Sequence, residues 1–271
     1  MRDSNGAGII ADHFVSARRA ATGFADYPGT PPATLEDGYA IQALALAQIA
    51  DPVAGWKVGR ILPPLDARYG CDRLAGPIFA SMVGKASDDA EGLMFADGFG
   101  AVEAEFLFRI GKSPEPGKRH FTLEEAADHV DAVHIGIEIA SSPFQGINSL
   151  GPAVTVSDFG NNNGLLIGPE VANWRSGDYA DQTVVTRIDG AEIGQGTAAA
   201  FANGAIGSVS FILENLIARG IAVRPGWWIS TGAVTGVHQV RPGQQVETDF
   251  GALGTLRCRM VAQQPDNQQS K

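Results

Sequence analysis

Cysteine is scarce in this chain of 271 residues, which contains only Cys71 and Cys258. A disulfide scaffold is therefore excluded, and because neither residue lies in a Cys-x-x-Cys pair, we expect no structural zinc site. A chain of this length buries enough surface to form a core without cross-links. The low cysteine content is typical of a reducing compartment, and we expect the protein to be cytoplasmic.

Basic residues are also few, and long apolar runs are absent from the sequence. Twenty Lys and Arg stand against thirty Asp and Glu, which gives a formal net charge of −10. A nucleic-acid-binding surface needs a basic patch to displace counterions, so we expect no nucleic-acid partner. No apolar run is long enough for a transmembrane helix, and the amino terminus lacks the pattern of a signal peptide. We therefore expect a soluble protein without a membrane partner.

Helical patterns occupy the first quarter of the chain. Apolar residues recur at helical spacing over 9–22 and again over 39–50, and Thr34 is typical of the N-cap that opens the second helix. A capping box that begins at Thr122 predicts a short helix, and a longer one is predicted over 198–219.

From residue 54 onward, short runs rich in Val, Ile and Phe alternate with Gly, Pro and Asn turns. The runs are WKVG, AEFLFRI, VHIGIEIA, AVTVS, GLLIG, TVVTRI, WWIST, QVETDF and TLRCRM. Their spacing favours a β-roll, barrel or sandwich over a βαβ array. The sequence therefore predicts an α+β protein with a helical region (1–53), a β-rich body (54–262) and a disordered tail (263–271).

Two glutamates stand out in the segment GAVEAEFLF. Side chains alternate along a strand, so Glu103 and Glu105 face the same way. Two adjacent carboxylates repel each other, and burying either one without a partner is costly. A hard divalent cation such as Mg²⁺ resolves this repulsion because it prefers oxygen ligands. A solvated strand face that carries two acids is the alternative.

A third glutamate, Glu138, lies in the otherwise apolar run VHIGIEIA, which is typical of a buried strand. A buried carboxylate needs a partner. His134 or an arginine could be that partner, but a metal ion shared with Glu103 and Glu105 is the favoured hypothesis.

Other polar residues are candidates for contact with a ligand. Lys57, between glycines in GWKVG, could be a buried proton carrier or a surface lysine that packs past Trp56. The loop that contains Asp158 and Asn161 could line a pocket or serve only as a turn. Thr231-Gly232 could offer a hydroxyl group and a backbone N–H to an anion.

Five motifs in order carry a resemblance to a known family: GWKVG, VEAEF, IEIA, SDFGNNNGLLIG and GWWISTG. Together they resemble the 2-oxopent-4-enoate hydratase and 4-oxalocrotonate decarboxylase family, within the fumarylacetoacetate hydrolase-like superfamily. The resemblance spans most of the chain and implies a mixed β-roll/barrel body with an N-terminal helical region.

The resemblance also implies a Mg²⁺ or Mn²⁺ site with Glu103, Glu105 and Glu138 as ligands. Lys57 would act as acid and base or hold the substrate carboxylate. From the polar loop and the strand end described above, we also expect Asp158, Asn161, Thr231 and Gly232 to contact the substrate. The implied partner is a small 2-oxo or 2-hydroxydienoic acid from aromatic-compound catabolism. A homo-oligomer is implied, as is a possible complex with a related decarboxylase or hydratase.

The chain departs from the family pattern at two positions where hydratases carry acids. FASM (79–82) replaces a segment with an aspartate, and Ser141 stands three residues after the third glutamate. We expect hydration of a 2-hydroxypenta-2,4-dienoate. Decarboxylation of a 4-oxalocrotonate type, C–C hydrolysis, tautomerisation and a catalytically silent partner subunit remain alternatives.

Overall fold

The computed structural model describes residues 4–266, so the end of the predicted tail, 267–271, lies outside the described residues. The predicted α+β class is confirmed, since N-terminal helices precede two mixed β-sheets that form a half-barrel. No helix within residues 4–266 has both the length and the apolarity needed to cross a membrane.

The α-helices of the described chain are α1 (Ser4–Ala20), α2 (Leu35–Leu46), α3 (Leu65–Tyr69), α4 (Leu123–Ala127), α5 (Pro152–Ser157) and α6 (Gly204–Ala218). Thr34 caps α2 and the capping box opens α4, as predicted. The helix predicted over 198–219 begins later, at Gly204, because Asn203 before it has a left-handed backbone with φ of 61°.

The strands are β1 (Val53–Arg60), β2 (Arg73–Phe79), β3 (Val83–Lys85), β4 (Glu91–Met94), β5 (Phe99–Ile110), β6 (Val130–Ser142), β7 (Asn162–Glu170), β8 (Val184–Ile188), β9 (Ala191–Gly196), β10 (Trp228–Ser230), β11 (His238–Gln239), β12 (Gln245–Asp249) and β13 (Thr255–Ala262). The larger sheet has the order β2-β1-β10-β5-β6-β7-β3, with β11 paired to β5. The smaller sheet has the order β4-β13-β12-β8-β9. The long central hairpin of β5 and β6 therefore lies in the middle of the larger sheet.

The prediction of a strand at AVTVS (153–157) is wrong, because these residues belong to helix α5. Gly151 precedes this helix with φ of 96°, and Pro152 occupies its start, where its fixed φ and missing N–H suit a first turn. All six residues of α5 are buried. The start signal and this packing override the preference of Val and Thr for strands.

The core lies between the sheets and beneath the N-terminal helices. The main cluster joins the inner faces of β5, β6 and the smaller sheet to α6. A second cluster packs Phe14 of α1 and Ile41 of α2 onto Phe99, Phe144 and Phe159 of the body. The N-terminal helices thus cover the part of the body that contains the loop between α5 and β7.

Candidate functional site

The pairing of β5 with β6 gathers the three predicted glutamates at one place. Glu103 lies directly opposite Glu138 across the two strands, and Glu105 is two residues further along β5. One carboxylate oxygen from each residue lies within 4.8 Å of the others, and the three side chains are buried. The alternation of β5 and the register of the hairpin are therefore sufficient to build the cluster.

In both Glu105 and Glu138, one carboxylate oxygen accepts hydrogen bonds and the other accepts none from the described residues. The Oε2 atom of Glu105 accepts hydrogen bonds from the Ser230 hydroxyl group at 2.5 Å and the Gly232 backbone N–H at 2.8 Å. The Oε1 atom of Glu138 accepts one from the Asn162 amide at 3.0 Å. Glu105 Oε1 and Glu138 Oε2 receive no hydrogen bond from any donor within residues 4–266. Buried oxygens without a donor fit a cation, and an all-carboxylate donor set suits Mg²⁺ or Mn²⁺.

Lys57 of β1 is the cation beside this cluster. Its side chain is buried, and its Nζ atom lies 3.3 Å from Glu138 Oε1 and donates a hydrogen bond of 3.2 Å to Asn161 Oδ1. Burial alone lowers the pKa of a lysine, but the nearby Glu138, Glu103 and Glu105 outweigh it, so the pKa of Lys57 is raised. Lys57 is therefore a buried ammonium group and not a surface lysine.

The charges of the cluster are unbalanced, because one ammonium group faces three carboxyl groups. Burial raises the pKa of Glu103 to about 7, with Lys57 opposing the shift and Glu138 adding to it. Burial also raises the pKa of Glu105 well above its usual value, and Glu138 and Glu103 raise it further. A divalent cation would supply the missing positive charge.

A cavity of about 460 Å³ opens above this cluster. Glu103 is the member of the cluster that lines this cavity, and the neighbouring Lys57 and Asn161 line it as well. Asn148 and Thr155 add polar groups, and the apolar part of the lining comprises Ile61, Leu62, Leu65, Leu74, Pro152, Ala233 and Val237. The volume lies within the range of small-molecule sites in proteins.

Of the other residues predicted to contact the substrate, one lines the cavity and three hold neighbouring groups in place. Asn161 lines the cavity, whereas Asp158, Thr231 and Gly232 are not part of its lining. Asp158 pairs with Arg18 of α1 at 2.6 Å, and the Thr231 hydroxyl group donates to the carbonyl oxygen of Phe106. The Gly232 N–H, expected to meet a substrate anion, instead holds Glu105.

The structure adds residues that the sequence patterns did not single out. Arg60 and Asn148 line the cavity, and Arg18 fixes the loop that carries Asn161. Arg60 follows Lys57 by three residues and marks the point where the chain leaves the GWKVG motif, which is the one sequence signal for its position. Arg18 had no such signal, because its partner lies 140 residues away.

The serines at the two departures from the hydratase pattern have structural partners. The Ser141 hydroxyl group donates to the carbonyl oxygen of Phe99 and accepts from the backbone N–H of Phe95. Ser81 bonds to the carboxylate of Asp51 and lines a separate cavity. Neither serine lines the cavity above the glutamate cluster.

A helix-covered half-barrel of mixed sheets with a buried acid triad on its central hairpin defines a fold of the fumarylacetoacetate hydrolase type. The chain belongs to the fumarylacetoacetate (FAA) hydrolase C-terminal family, whose model matches residues 96–261. The fumarylacetoacetate hydrolase-like superfamily expected from the five motifs is thereby confirmed.

Two curated relatives are 4-oxalocrotonate decarboxylases. The protein from Pseudomonas sp is 28% identical over 159 residues, which cover 57% of this chain and 58% of the relative. The protein from Pseudomonas putida is 26% identical over 162 residues, which cover 59% and 60%. The chain thus matches less than two thirds of the length of either relative.

Solved structures share the fold over a longer stretch. 4-Oxalocrotonate decarboxylase from Pseudomonas putida G7, complexed with magnesium and adipate, has a TM-score of 0.80 at 20% identity, covering 96% of this chain and 99% of that one. Fumarylpyruvate hydrolase from Pseudomonas aeruginosa, in complex with Mn²⁺ and pyruvate, has a TM-score of 0.54 at 20% identity, covering 80% and 93%.

Proposed function

We propose that this protein is a divalent-metal-dependent decarboxylase of a 2-oxo dicarboxylic acid of the 4-oxalocrotonate type. The observation that carries the proposal is the buried cluster of Glu103, Glu105, Glu138 and Lys57 at a cavity of small-molecule size. The two decarboxylase relatives support this reaction over the hydration that the sequence patterns predict.

Glu103, Glu105 and Glu138 would hold Mg²⁺ or Mn²⁺ through the carboxylate oxygens that lie within 4.8 Å of one another. When bound, the metal supplies a Lewis acid that stabilises negative charge on the 2-oxo oxygen of the substrate. Ser230 and Gly232 fix Glu105 by hydrogen bonds to its carboxylate, and Asn162 fixes Glu138 in the same way. Such supporting hydrogen bonds fix the orientation of metal ligands.

Lys57 would work from the cavity floor. Its Nζ atom keeps its proton because of the surrounding carboxylates, and Glu138 and Asn161 fix its direction. It can donate a hydrogen bond to the carboxylate or enolate oxygen at the 2-oxo end of the substrate. In the reaction, the C–C bond to the outer carboxylate breaks and its electron pair moves through the conjugated chain to the oxygen at carbon 2. Carbon dioxide leaves, and uptake of one proton gives a 2-hydroxydienoate.

The absence of acidic side chains at positions 81 and 141 also favours decarboxylation. Water addition needs a group that activates water or delivers a proton to the far end of the diene. The two serines are occupied by Asp51, Phe95 and Phe99 instead. Loss of carbon dioxide requires no activated water, so it needs neither acid.

The proposal is tested by ultraviolet assays with purified protein on 4-oxalocrotonate and, separately, on 2-hydroxypenta-2,4-dienoate, each with Mg²⁺ and with EDTA. We expect Mg²⁺-dependent release of carbon dioxide from 4-oxalocrotonate. Formation of 4-hydroxy-2-oxopentanoate from the dienoate, without carbon dioxide release from the diacid, would identify a hydratase instead. No turnover of either compound would favour a silent partner subunit.

The metal site is tested separately with Glu105→Gln. This change keeps the shape of the side chain but removes one of the three ligand charges, so we expect more than a tenfold loss of Mg²⁺ affinity in calorimetry with the fold intact. Exposed Glu91, paired with Arg259, provides the control Glu91→Gln. Unchanged Mg²⁺ binding by Glu105→Gln would refute the ligand assignment.

A further inference from the structure

Arg60 is a cation in the lining of the cavity that the proposed chemistry does not use. It ends strand β1, is exposed, and lies in the lining together with Lys57 and Glu103. Its positive charge reaches the cluster, since it helps to lower the pKa of Glu103 against the larger effect of burial. Within residues 4–266, Arg60 has no acidic side chain at ion-pair distance.

Aromatic packing fixes the position of Arg60. Its guanidinium carbon lies 4.6 Å from the centre of the Phe201 ring, over the ring face. Phe201 is itself buried and neighbours Gly232, the residue that holds Glu105. A guanidinium group stacked in this way keeps its hydrogen-bond donors free at its edge, where they suit a carboxylate.

The cavity therefore has two cationic positions with different surroundings. Lys57 lies at the floor and is committed to Glu138 and Asn161. Arg60 is exposed and has no ion-pair partner in the described part of the chain, and the apolar part of the lining includes Ile61, Leu62 and Leu74. These surroundings fit a ligand with a polar head at the cluster, a short hydrocarbon chain, and a second anionic group at the exposed end.

We infer that Arg60 binds the outer carboxylate of the substrate and makes the protein selective for dicarboxylic over monocarboxylic 2-oxo acids. This inference rests on the proposed function, because it places the 2-oxo acid head at the glutamate cluster. A guanidinium–carboxylate pair with two parallel hydrogen bonds is strong and directional. This carboxylate is the group that leaves as carbon dioxide, so its pair with Arg60 is given up when the C–C bond breaks. Arg60 therefore contributes to substrate binding and specificity and does not stabilise the charge that develops in the reaction.

A general attraction of anions by positive charge is the competing explanation. The chain carries a net charge of −10, so any exposed arginine near the opening could raise the local concentration of anionic ligands. Such attraction is weakened by salt and acts on every 2-oxo acid. Direct recognition by Arg60 acts on the second carboxylate alone.

The test is calorimetric binding of 2-oxoadipate and of 2-oxohexanoate in saturating Mg²⁺ at physiological salt. The two ligands have the same chain length and differ in the outer carboxylate. For Arg60→Gln we expect about a tenfold loss of affinity for 2-oxoadipate and no change for 2-oxohexanoate. Arg60→Lys should lie between Arg60→Gln and the parent, because it keeps the charge but loses the paired donors.

Arg68→Gln is the matched control, since Arg68 is also exposed and stacked on a ring, that of Tyr69, but does not line the cavity. Equal losses for both ligands, or equal losses in the two glutamine variants, would overturn the inference and leave the proposed function standing. So would a parent protein that binds both ligands with the same affinity. A parent protein that binds neither ligand with Mg²⁺ would overturn both proposals.

Discussion

At the scale of single residues, Lys57 and the three glutamates form an arrangement that is costly to bury. Each charged group loses its hydration, and the attraction between Lys57 and Glu138 repays part of that loss. The repulsion among Glu103, Glu105 and Glu138 is left over. Such an excess of like charge is common at functional sites, where a ligand or metal completes the balance.

Replacing Lys57 with Met should expose this imbalance. The change leaves Glu138 buried without its cation, and breaking a buried pair in this way costs about 3 to 5 kcal/mol. We expect urea unfolding to show this loss in EDTA. Saturating Mg²⁺ should recover part of it, because the cluster without the Lys57 ammonium group should bind the metal more tightly than the parent does, and tighter binding to the folded state adds more stability. Equal destabilisation with and without Mg²⁺ would contradict a metal site beside Lys57.

At the scale of elements, the connection between α5 and β7 holds two residues against the cluster. Phe159, Gly160 and Asn161 have φ values of 53°, 63° and 58°, which only a strongly restrained loop retains. Strand β2 approaches this loop so closely that a Cβ atom on Gly76 would lie 1.9 Å from the carbonyl oxygen of Phe159. Asn161 from this loop bonds Lys57, and Asn162, the first residue of β7, bonds Glu138.

Helix α1 restrains the loop through Arg18. The guanidinium group pairs with both oxygens of buried Asp158, bonds the side chain of Asn163, and lies over the rings of Phe95 and Phe159. Arg18 is therefore a positioning residue, which acts on the cluster through Asp158 and the loop. This role explains why Asp158 is held away from the cavity.

Arg18→Met should weaken both the fold and the cluster. Buried Asp158 loses its partner, so we expect about 3 to 5 kcal/mol less stability in urea unfolding. Because the loop is released, Mg²⁺ affinity should also fall, measured at a temperature where the variant is folded. Arg19→Met is the control, since Arg19 is exposed and bonds a backbone carbonyl of Gln48. A variant that loses stability but binds Mg²⁺ normally would limit Arg18 to a structural role.

At the scale of the whole molecule, the N-terminal helices and the β-rich body share a hydrophobic cluster. Ile10, Phe14 and Ile41 from the helices pack against Phe144 and Phe159 from the body. The family model begins at residue 96, so these helices lie outside the matched part of the chain. The shared cluster indicates that the two regions fold together. Homo-oligomer formation and the cytoplasmic location stay predictions.

A fragment of residues 53–271 tests this dependence. Without α1 and α2, it exposes the aromatic side of the second cluster and loses Arg18, so we expect it to aggregate or to lack cooperative unfolding. Circular dichroism in the near ultraviolet and thermal unfolding measure the outcome. A soluble fragment with a cooperative transition would show that the body folds on its own.

Several parts of the site could be predicted from the sequence because they depend on local periodicity. The alternation of a strand places Glu103 and Glu105 on one face, and a carboxylate within an apolar run indicates that Glu138 is buried. The resemblance carried by five short motifs gave the family, which the comparisons confirm. The preference of Val and Thr for strands gave a wrong prediction at Pro152–Ser157, where packing favours a helix.

The sequence by itself determined the α+β class, the family and the acids of the candidate metal site, because periodic patterns and motifs are properties of neighbouring residues. Only the tertiary structure decided that Lys57 is buried beside Glu138, that Asp158 pairs with Arg18, and that Arg60 stacks on Phe201 in the cavity lining. Partner choice between residues about 80 to 140 positions apart depends on strand register and helix packing. Local sequence patterns therefore do not show which of these distant residues become neighbours in the fold.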